Sequence, residues 1–378
     1  MRTPLLIATL VLASCQAYDF QRVEPLFYRR ITNPVRVKGV RPDVLVLIDR
    51  SGSMGFPLNP LDTTACPANC GGGGNTACPA SCPTRISELR LAMPVFFNAA
   101  KDDARFGLAL FPRGSGAPNQ CVGTDSSLVP EPLPAEGPET PDNLALWAAQ
   151  TDRISTYISA TMPEKLVVGG GTPTAVSLDF VGTTQGLAEE GALKRKRIVL
   201  LLTDGLPNCR QGQGADPNAT DTRAIDSVAN LLTKGISTMV IGFGSDVTGA
   251  TVLSDMARAG GFPRTCTAAT ASTDCGSSDF CGNDGICGRA AYSASNSTEL
   301  KAVLEKLREK LGQKDPCIVD LGSLPYENIV VSLDDKELTA GPNSWNVAGR
   351  TLTFVGTSCQ QIKNSSDSAP VKIDIGVY

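Results

Sequence analysis

The chain has 378 residues, more than one ordinary domain of roughly 100 to 200 residues needs, so we expect at least two folded units. Its residues are 42% hydrophobic and 19% charged, a globular composition that argues against a disordered or membrane-embedded chain. The net charge of −4, without long Lys or Arg runs, argues against nucleic-acid binding, and the lack of histidine removes the commonest general base of hydrolases.

The first 14 residues have the pattern of a secretion signal, with Arg2 before an apolar run over residues 5–13. This run is shorter than the about 20 residues that a membrane-spanning helix needs, which disfavours the alternative of a retained transmembrane anchor. The sequence at 12–15, Leu-Ala-Ser-Cys, resembles a bacterial lipobox. The resemblance implies cleavage before Cys15 and acylation of its thiol; the other interpretation is an ordinary signal peptide followed by a chance cysteine.

A lipid on Cys15 implies that the chain meets a membrane only through its N-terminus, in a bacterial cell envelope. Gln16 differs from the Asp that resembles an inner-membrane retention signal, which favours the outer membrane, on its periplasmic or surface face. Residues 15–41 carry mixed charge without periodicity and are predicted to be a tether.

Cysteine usage fits an oxidising compartment. The chain has 13 cysteines, and assigning Cys15 to the lipid leaves an even number for disulfides. The connectivity does not follow from the sequence alone. The disulfide candidates are Cys66, Cys70, Cys78, Cys82, Cys121, Cys209, Cys266, Cys275, Cys281, Cys287, Cys317 and Cys359.

From residue 43 onward, apolar strand patterns alternate with helical patterns, which predicts a mostly parallel sheet flanked by helices, a doubly wound α/β fold. Strands are predicted at 44–48, 105–111, 198–202 and 238–241. Helices are predicted near 86–97, where Pro94 should introduce a kink, near 144–158, and after Asp221 with Leu232 facing inward. A last helix, capped by Asn296 and Glu299, runs from about Leu300 to Gly312.

Polar side chains follow two of these strands. Asp49, Ser51 and Ser53 come directly after the first, and Thr203, Asp204 and Gly205 follow the strand at 198–202. A third loop, residues 169–174, has the sequence Gly-Gly-Gly-Thr-Pro-Thr and leads into a predicted helix. Open parallel sheets bind ligands outside the carboxyl ends of their strands, so we expect the three loops to meet at one edge.

These motifs, DRSGS at 49–53, GGTPT at 170–174 and TDG at 203–205, resemble the metal-ion-dependent adhesion site of von Willebrand factor A (VWA) domains. The resemblance covers residues 42–312 and implies a VWA, Rossmann-like fold. It also implies the metal-ligand set: hydroxyl oxygens from Ser51, Ser53 and Thr172, and carboxylates, direct or through water, from Asp49 and Asp204.

Chemistry independently favours a hard cation at such a site. Two carboxylates and three hydroxyls form an all-oxygen set that suits Mg²⁺, with Ca²⁺ or Mn²⁺ possible. The two negative charges would balance the ion and leave a coordination position for an Asp or Glu carboxylate of a protein partner. The alternatives are a metal-free domain of this family, or Ser and Thr residues that only cap helices at the same loops.

Two cysteine-rich insertions interrupt the predicted domain, at 56–83 and 263–288. The first contains a repeat, TACPANC at 64–70 and TACPASC at 76–82, for which we expect disulfides rather than a zinc site because the spacing is CxxxC. Its position suggests that it controls access to the metal. The second insertion is either a stapled surface loop or a separate binding module. Cys121 and Cys209 are candidates for a pair across the same edge.

Residues 313–378 show short alternating strands and are predicted to form a small all-β domain, with Cys317 and Cys359 as its simplest disulfide. The function class favoured is a lipid-anchored adhesion or scaffold protein and not an enzyme, so no catalytic residue is assigned. The alternatives are a metal-free structural envelope lipoprotein and a metal-dependent hydrolase, although no GxxxxGK[ST] phosphate loop occurs.

Overall fold

A computed structural model describes residues 41–58, 66–67, 70–71, 78–114, 119–159, 168–183, 187, 195–210, 216, 220–244, 251–276, 279–312, 317–321, 329–349, 351–363 and 371–377. The predicted signal peptide, Cys15 and the tether up to residue 40 lie outside these ranges and stay predictions, as do the domain boundaries. Within these ranges, no helix has the length and apolar character to cross a bilayer.

A five-stranded parallel sheet forms the centre of the fold. The strands are β1 (Asp43–Asp49), β2 (Arg105–Phe111), β3 (Arg197–Thr203), β4 (Ile236–Phe243) and β5 (Tyr292–Ala294), and their order in the sheet is β2-β1-β3-β4-β5. The four strands predicted from apolar runs are confirmed, since runs of this kind are typical of strands buried on both faces.

Helices cover both faces of the sheet, so the α/β, doubly wound class is confirmed. One face packs on α1 (Arg85–Ala100), α2 (Pro141–Ile158) and α7 (Ser297–Gly312); the other packs on α3 (Thr174–Val181), α4 (Arg223–Thr233) and α5 (Thr251–Ala259). In β1, Val44, Val46 and Ile48 enter the first core, and Leu45 and Leu47 enter the second. This alternation is the period-2 geometry of a strand.

Helix α1 is one 16-residue element that includes Pro94, and the kink expected there stays a prediction. One detail of the helix predictions was wrong. In α4, Ala224, Val228 and Leu231 form the buried stripe, whereas the side chain of Leu232 lies beside that stripe and is 40% exposed. Because an α-helix has 3.6 residues per turn, Leu231 lies on the buried face with Ala224 and Val228, and the next residue, Leu232, points away from it.

All twelve candidate cysteines are paired. The first insertion holds Cys66–Cys82 and Cys70–Cys78, so the expectation of disulfides in this insertion is confirmed. The second insertion, which includes the short helix α6 (Ala271–Asp274), holds Cys266–Cys281 and Cys275–Cys287. The expected pairs Cys121–Cys209 and Cys317–Cys359 are confirmed.

The C-terminal part has its own apolar core between two three-stranded antiparallel sheets. One sheet has the order β6-β10-β9 and the other β11-β7-β8. The strands are β6 (Ile318–Asp320), β7 (Ile329–Leu333), β8 (Lys336–Leu338), β9 (Trp345–Ala348), β10 (Thr351–Phe354) and β11 (Ile373–Val377). It is not all-β, because helix α8 (Gly356–Lys363) follows β10 and buries Ile362.

Candidate metal centre

The strand order places a topological switch point between β1 and β3. From β1 the chain passes to β2 on one side and then returns to β3 on the other. The loops that leave the carboxyl ends of β1 and β3 therefore diverge, and this switch point is where open α/β sheets bind ligands. Asp49 is the last residue of β1, and Asp204 directly follows β3, so both carboxylates lie at the switch point.

The Asp49 carboxylate accepts hydrogen bonds from the β1 loop and from the end of β3. Its Oδ1 accepts a hydrogen bond of 2.7 Å from the Ser51 backbone N–H, and its Oδ2 accepts one of 2.6 Å from the Thr203 hydroxyl. The residue is fully buried. A carboxylate has about four lone-pair sites on its two oxygens, so both retain capacity for a cation.

A chain of hydroxyls joins the β1 loop to the β3 loop. The Oγ atoms of Ser51 and Ser53 are 3.0 Å apart, and the Ser53 hydroxyl donates to Asp204 Oδ1 at 2.9 Å. Ser53 lies in a 3₁₀ turn (Gly52–Gly55), which bends the backbone back over the end of β1. The turn thus brings both serine hydroxyls to the carboxylates.

Thr172 reaches the same place from the third loop. The Gly52 backbone N–H donates to Gly170 O at 2.9 Å, which ties this loop to the β1 loop. A Cβ atom placed on Gly205 would be 3.6 Å from both Ser53 Oγ and Thr172 Oγ1, so these two hydroxyls face the same point above Gly205. The structure therefore brings together all five predicted site residues.

The structure also places a buried arginine at the site, which the sequence analysis missed. Arg85, the first residue of α1, forms an ion pair of 2.9 Å between its Nη1 and Asp204 Oδ2, and both side chains are almost fully buried. The expectation that two negative charges alone would balance a divalent ion is therefore wrong. One positive charge adjoins Asp204, so a bound divalent cation would retain net positive charge.

The electrostatics of the two carboxylates reflect their burial. Burial, followed by the nearby charge of Asp204, raises the pKa of Asp49 to about 7, against the lowering effect of the bonds from Thr203 and Ser51. Burial also raises the pKa of Asp204, while Arg85 and Ser53 act in the lowering direction. A cation beside two such buried acids favours their ionised forms.

The donor set fits a hard divalent cation. Two carboxylates and three hydroxyls offer only oxygen atoms, the ligand type preferred by Mg²⁺, Ca²⁺ and Mn²⁺. Three further residues organise this set: Thr203, Arg85 and Asn208, whose Oδ1 accepts from the Thr172 backbone N–H at 2.8 Å. Thr203 was visible within the TDG motif, whereas nothing in the local pattern distinguished Arg85 or Asn208.

The described part of the first insertion packs against the 3₁₀ turn Gly52–Gly55, which we call the serine turn. Gly71 approaches Gly55 so closely that a Cβ on Gly71 would overlap the Gly55 carbonyl oxygen, and Cys78 Sγ is 3.9 Å from that oxygen. The insertion therefore contacts the turn that carries Ser53. Phe56 and Leu206, which follow the β1 and β3 motifs, are each more than one-third exposed.

No family model and no curated protein matches the sequence. Among solved structures, the chain is similar to the PilB minor pilin from Streptococcus sanguinis, with 16% identity and a TM-score of 0.44 over 75% of this chain and 63% of the pilin. The chain thus spans less than two thirds of that pilin.

Two further solved structures are similar to the chain. A von Willebrand factor type A protein from Catenulispora acidiphila has 14% identity and a TM-score of 0.38 over 89% of this chain and 57% of that protein. Proximal thread matrix protein 1 from the mussel byssus, with a zinc-occupied MIDAS motif, has 17% identity and a TM-score of 0.37, over 74% and 49%. At these identities and scores, no residue role transfers from them to this chain.

Proposed function

We propose that this chain is a VWA-like, extracytoplasmic binding protein that captures an acidic group of a protein partner through a divalent cation. The cation, Mg²⁺ or alternatively Ca²⁺ or Mn²⁺, is held by Asp49, Ser51, Ser53, Thr172 and Asp204. The observation that carries the proposal is the convergence of these five side chains at the switch point, with both carboxylates buried. The cation supplies a Lewis-acidic position for a ligand oxygen.

The ligand chemistry follows from the charges around the site. Asp49 and Asp204 contribute two negative charges when ionised, and Arg85 contributes one positive charge at 2.9 Å from Asp204. A bound divalent cation is therefore under-neutralised by about one charge, which favours an anionic oxygen over water or a neutral carbonyl. A glutamate or aspartate side chain of a partner provides such an oxygen.

Binding is proposed in preference to catalysis. Histidine is absent from the full sequence, and both carboxylates at the site are assigned to the cation, with hydrogen bonds from hydroxyl, amide and guanidinium donors holding them in place. A general base would need a free position within hydrogen-bond reach of the attacking water. No residue is proposed to be catalytic.

The cellular location belongs to the same proposal. Six disulfides among the described residues fit an oxidising compartment, and the lipobox-like sequence before Cys15 fits attachment to a bacterial outer membrane through an N-terminal lipid. A partner protein in the periplasm or at the cell surface would then be within reach of the site.

Water-proton relaxation in the presence of Mn²⁺ tests the open coordination position. The chain should enhance relaxation because its bound Mn²⁺ keeps an exchanging water, and acetate should lower the enhancement by displacing that water. Asp204→Ala should abolish the enhancement, whereas Asp284→Ala, which changes a largely exposed carboxylate in the second insertion, should preserve it. Enhancement that acetate does not change would contradict a carboxylate ligand.

A further inference from the structure

Thr172 is held differently from the two aspartates. Asp49 and Asp204 each lie at the end of a central strand, whereas residues 168–173 form a loop without strand structure. The position of Thr172 therefore depends on the segments that contact this loop. A hydroxyl that is displaced by about 1 Å binds a metal ion much more weakly, so these contacts affect the affinity for the cation directly.

Two segments hold the loop through its backbone. Gln120 O accepts a hydrogen bond of 2.9 Å from the Gly171 N–H. Asn208 forms two hydrogen bonds with the backbone of Thr172. Its side-chain Oδ1 accepts from the Thr172 N–H at 2.8 Å, and its own backbone N–H donates to Thr172 O at 3.3 Å. These hydrogen bonds therefore hold the backbone of Thr172 itself and of the residue before it.

A disulfide joins these two segments at the adjacent residues. Cys121 follows Gln120, and Cys209 follows Asn208, and the bond between the two cysteines links positions that are 88 residues apart. Both cysteines are buried, at 1% and 0% exposure. Gln120, Asn208 and the disulfide between their neighbours together form what we call the brace. It makes one hydrogen bond to Gly171 and two to Thr172.

The loop fits tightly inside this brace. Gly170 has a φ of +85°, and a Cβ there would lie 2.5 Å from Gly114 O and 3.0 Å from Gln120 O. Only glycine combines this backbone conformation with such a close approach. The segment around Gln120 thus presses against the loop as well as bonding to it.

We propose that the Cys121–Cys209 disulfide is a positioning element of the metal site, which fixes Thr172 through Gln120 and Asn208 and so sets the affinity for the cation. The proposal rests on the metal-binding function proposed above. It assigns a role in function to one disulfide of the six, and it makes cation binding dependent on the oxidation of that one pair.

The test compares two double variants of the chain, Cys121→Ser/Cys209→Ser and Cys317→Ser/Cys359→Ser, with the wild type. Removing partners that orient a metal ligand lowers metal affinity by about 10- to 100-fold, so calorimetry should show this loss of Mg²⁺ affinity for the first variant alone. Hydrogen exchange, measured without metal, should accelerate at the Gly171 and Thr172 amides in the first variant and not in the second.

A third variant, Asn208→Ala, keeps the disulfide and covers the case in which the first variant does not fold. It should also lose Mg²⁺ affinity and expose the Thr172 amide to faster exchange. Wild-type affinity and unchanged exchange in Cys121→Ser/Cys209→Ser, or in Asn208→Ala, would overturn the proposal. If the wild type binds no Mg²⁺, the proposed function fails, and the metal-free exchange rates still decide whether the brace positions Thr172.

Discussion

At the scale of single residues, the ion pair between Arg85 and Asp204 compensates one of the two buried negative charges of the site. Without a metal, the guanidinium is the only cation that contacts Asp204 among the described residues. Breaking a buried pair by removing one partner leaves an uncompensated charge and costs about 3–5 kcal/mol. A metal ion would share this compensation, so the importance of Arg85 for stability should depend on the metal.

We therefore expect Arg85→Met to lower the free energy of unfolding by about 3–5 kcal/mol in EDTA, and by clearly less in saturating Mg²⁺. Urea denaturation under both conditions measures the difference. Arg153→Met is the control, because Arg153 pairs with Glu131 at the exposed surface, where such pairs contribute about 0–1 kcal/mol. An equal loss for Arg85→Met with and without Mg²⁺ would show that the two cations do not share Asp204.

The raised pKa of Asp49 predicts a pH dependence for the metal-free chain. Burial and the charge of Asp204 raise this pKa from 3.8 to about 7, so the folded state binds the proton more tightly than the unfolded chain does. Stability from this group is therefore full at low pH and is lost as the pH rises toward about 7. Mg²⁺, which binds the ionised form, should stabilise the chain more at pH 8 than at pH 6.

Denaturation in EDTA and in Mg²⁺ at several pH values checks this expectation. Asp49→Asn should remove most of the decline in EDTA, because the amide does not titrate, while Asp284→Asn should leave it in place. A metal-free chain whose stability rises through the same pH range as far as pH 7 would contradict the assignment of Asp49 as a buried, uncompensated acid.

At the scale of elements, the ends of the strands have separate roles. The loops that carry the proposed metal ligands follow the carboxyl ends of β1 and β3. Arg105 lies at the amino end of β2 and belongs to a buried charged network at the opposite edge of the sheet. There the indole ring of Trp147 in α2 lies 4.8 Å from the Arg105 guanidinium and 5.0 Å from that of Arg195. This network fixes α2 against the sheet.

Trp147→Ala should lower the free energy of unfolding by about 3–5 kcal/mol, because the ring is buried and contacts two guanidinium groups. Thermal and urea denaturation measure the loss. Calorimetry should show that Mg²⁺ affinity is kept, since the ring is at the other edge of the sheet from Asp49. Leu146→Ala, at an exposed neighbouring position, should change stability by less than about 0.5 kcal/mol.

The elements that the sequence predicted are those with a strong local signal. Strands β1 to β4 are continuous apolar runs, and the five-residue ligand set lies in short motifs next to them. Helix α8 was missed because its sequence, GTSCQQIK, has no apolar period; it is anchored by Ile362 and by the Cys317–Cys359 disulfide. Arg85 was missed because its partner, Asp204, lies 119 residues away along the chain.

At the scale of the whole molecule, the disulfides divide into those near the switch point between β1 and β3 and those elsewhere. The first insertion packs behind the serine turn through Gly71, and the Cys121–Cys209 pair encloses the Thr172 loop. The second insertion and the C-terminal part are closed by their own disulfides and cores. This distribution predicts that the bonds near the switch point matter for binding and the others for stability.

Calorimetric titration of Mg²⁺ into the wild type, Asp49→Ala and Asp284→Ala tests the central claim most directly. We expect saturable binding at one site in the wild type and in Asp284→Ala, and none in Asp49→Ala, with all three chains folded by circular dichroism. Absence of binding by the folded wild type, or equal binding by Asp49→Ala, would contradict a metal site at the switch point between β1 and β3.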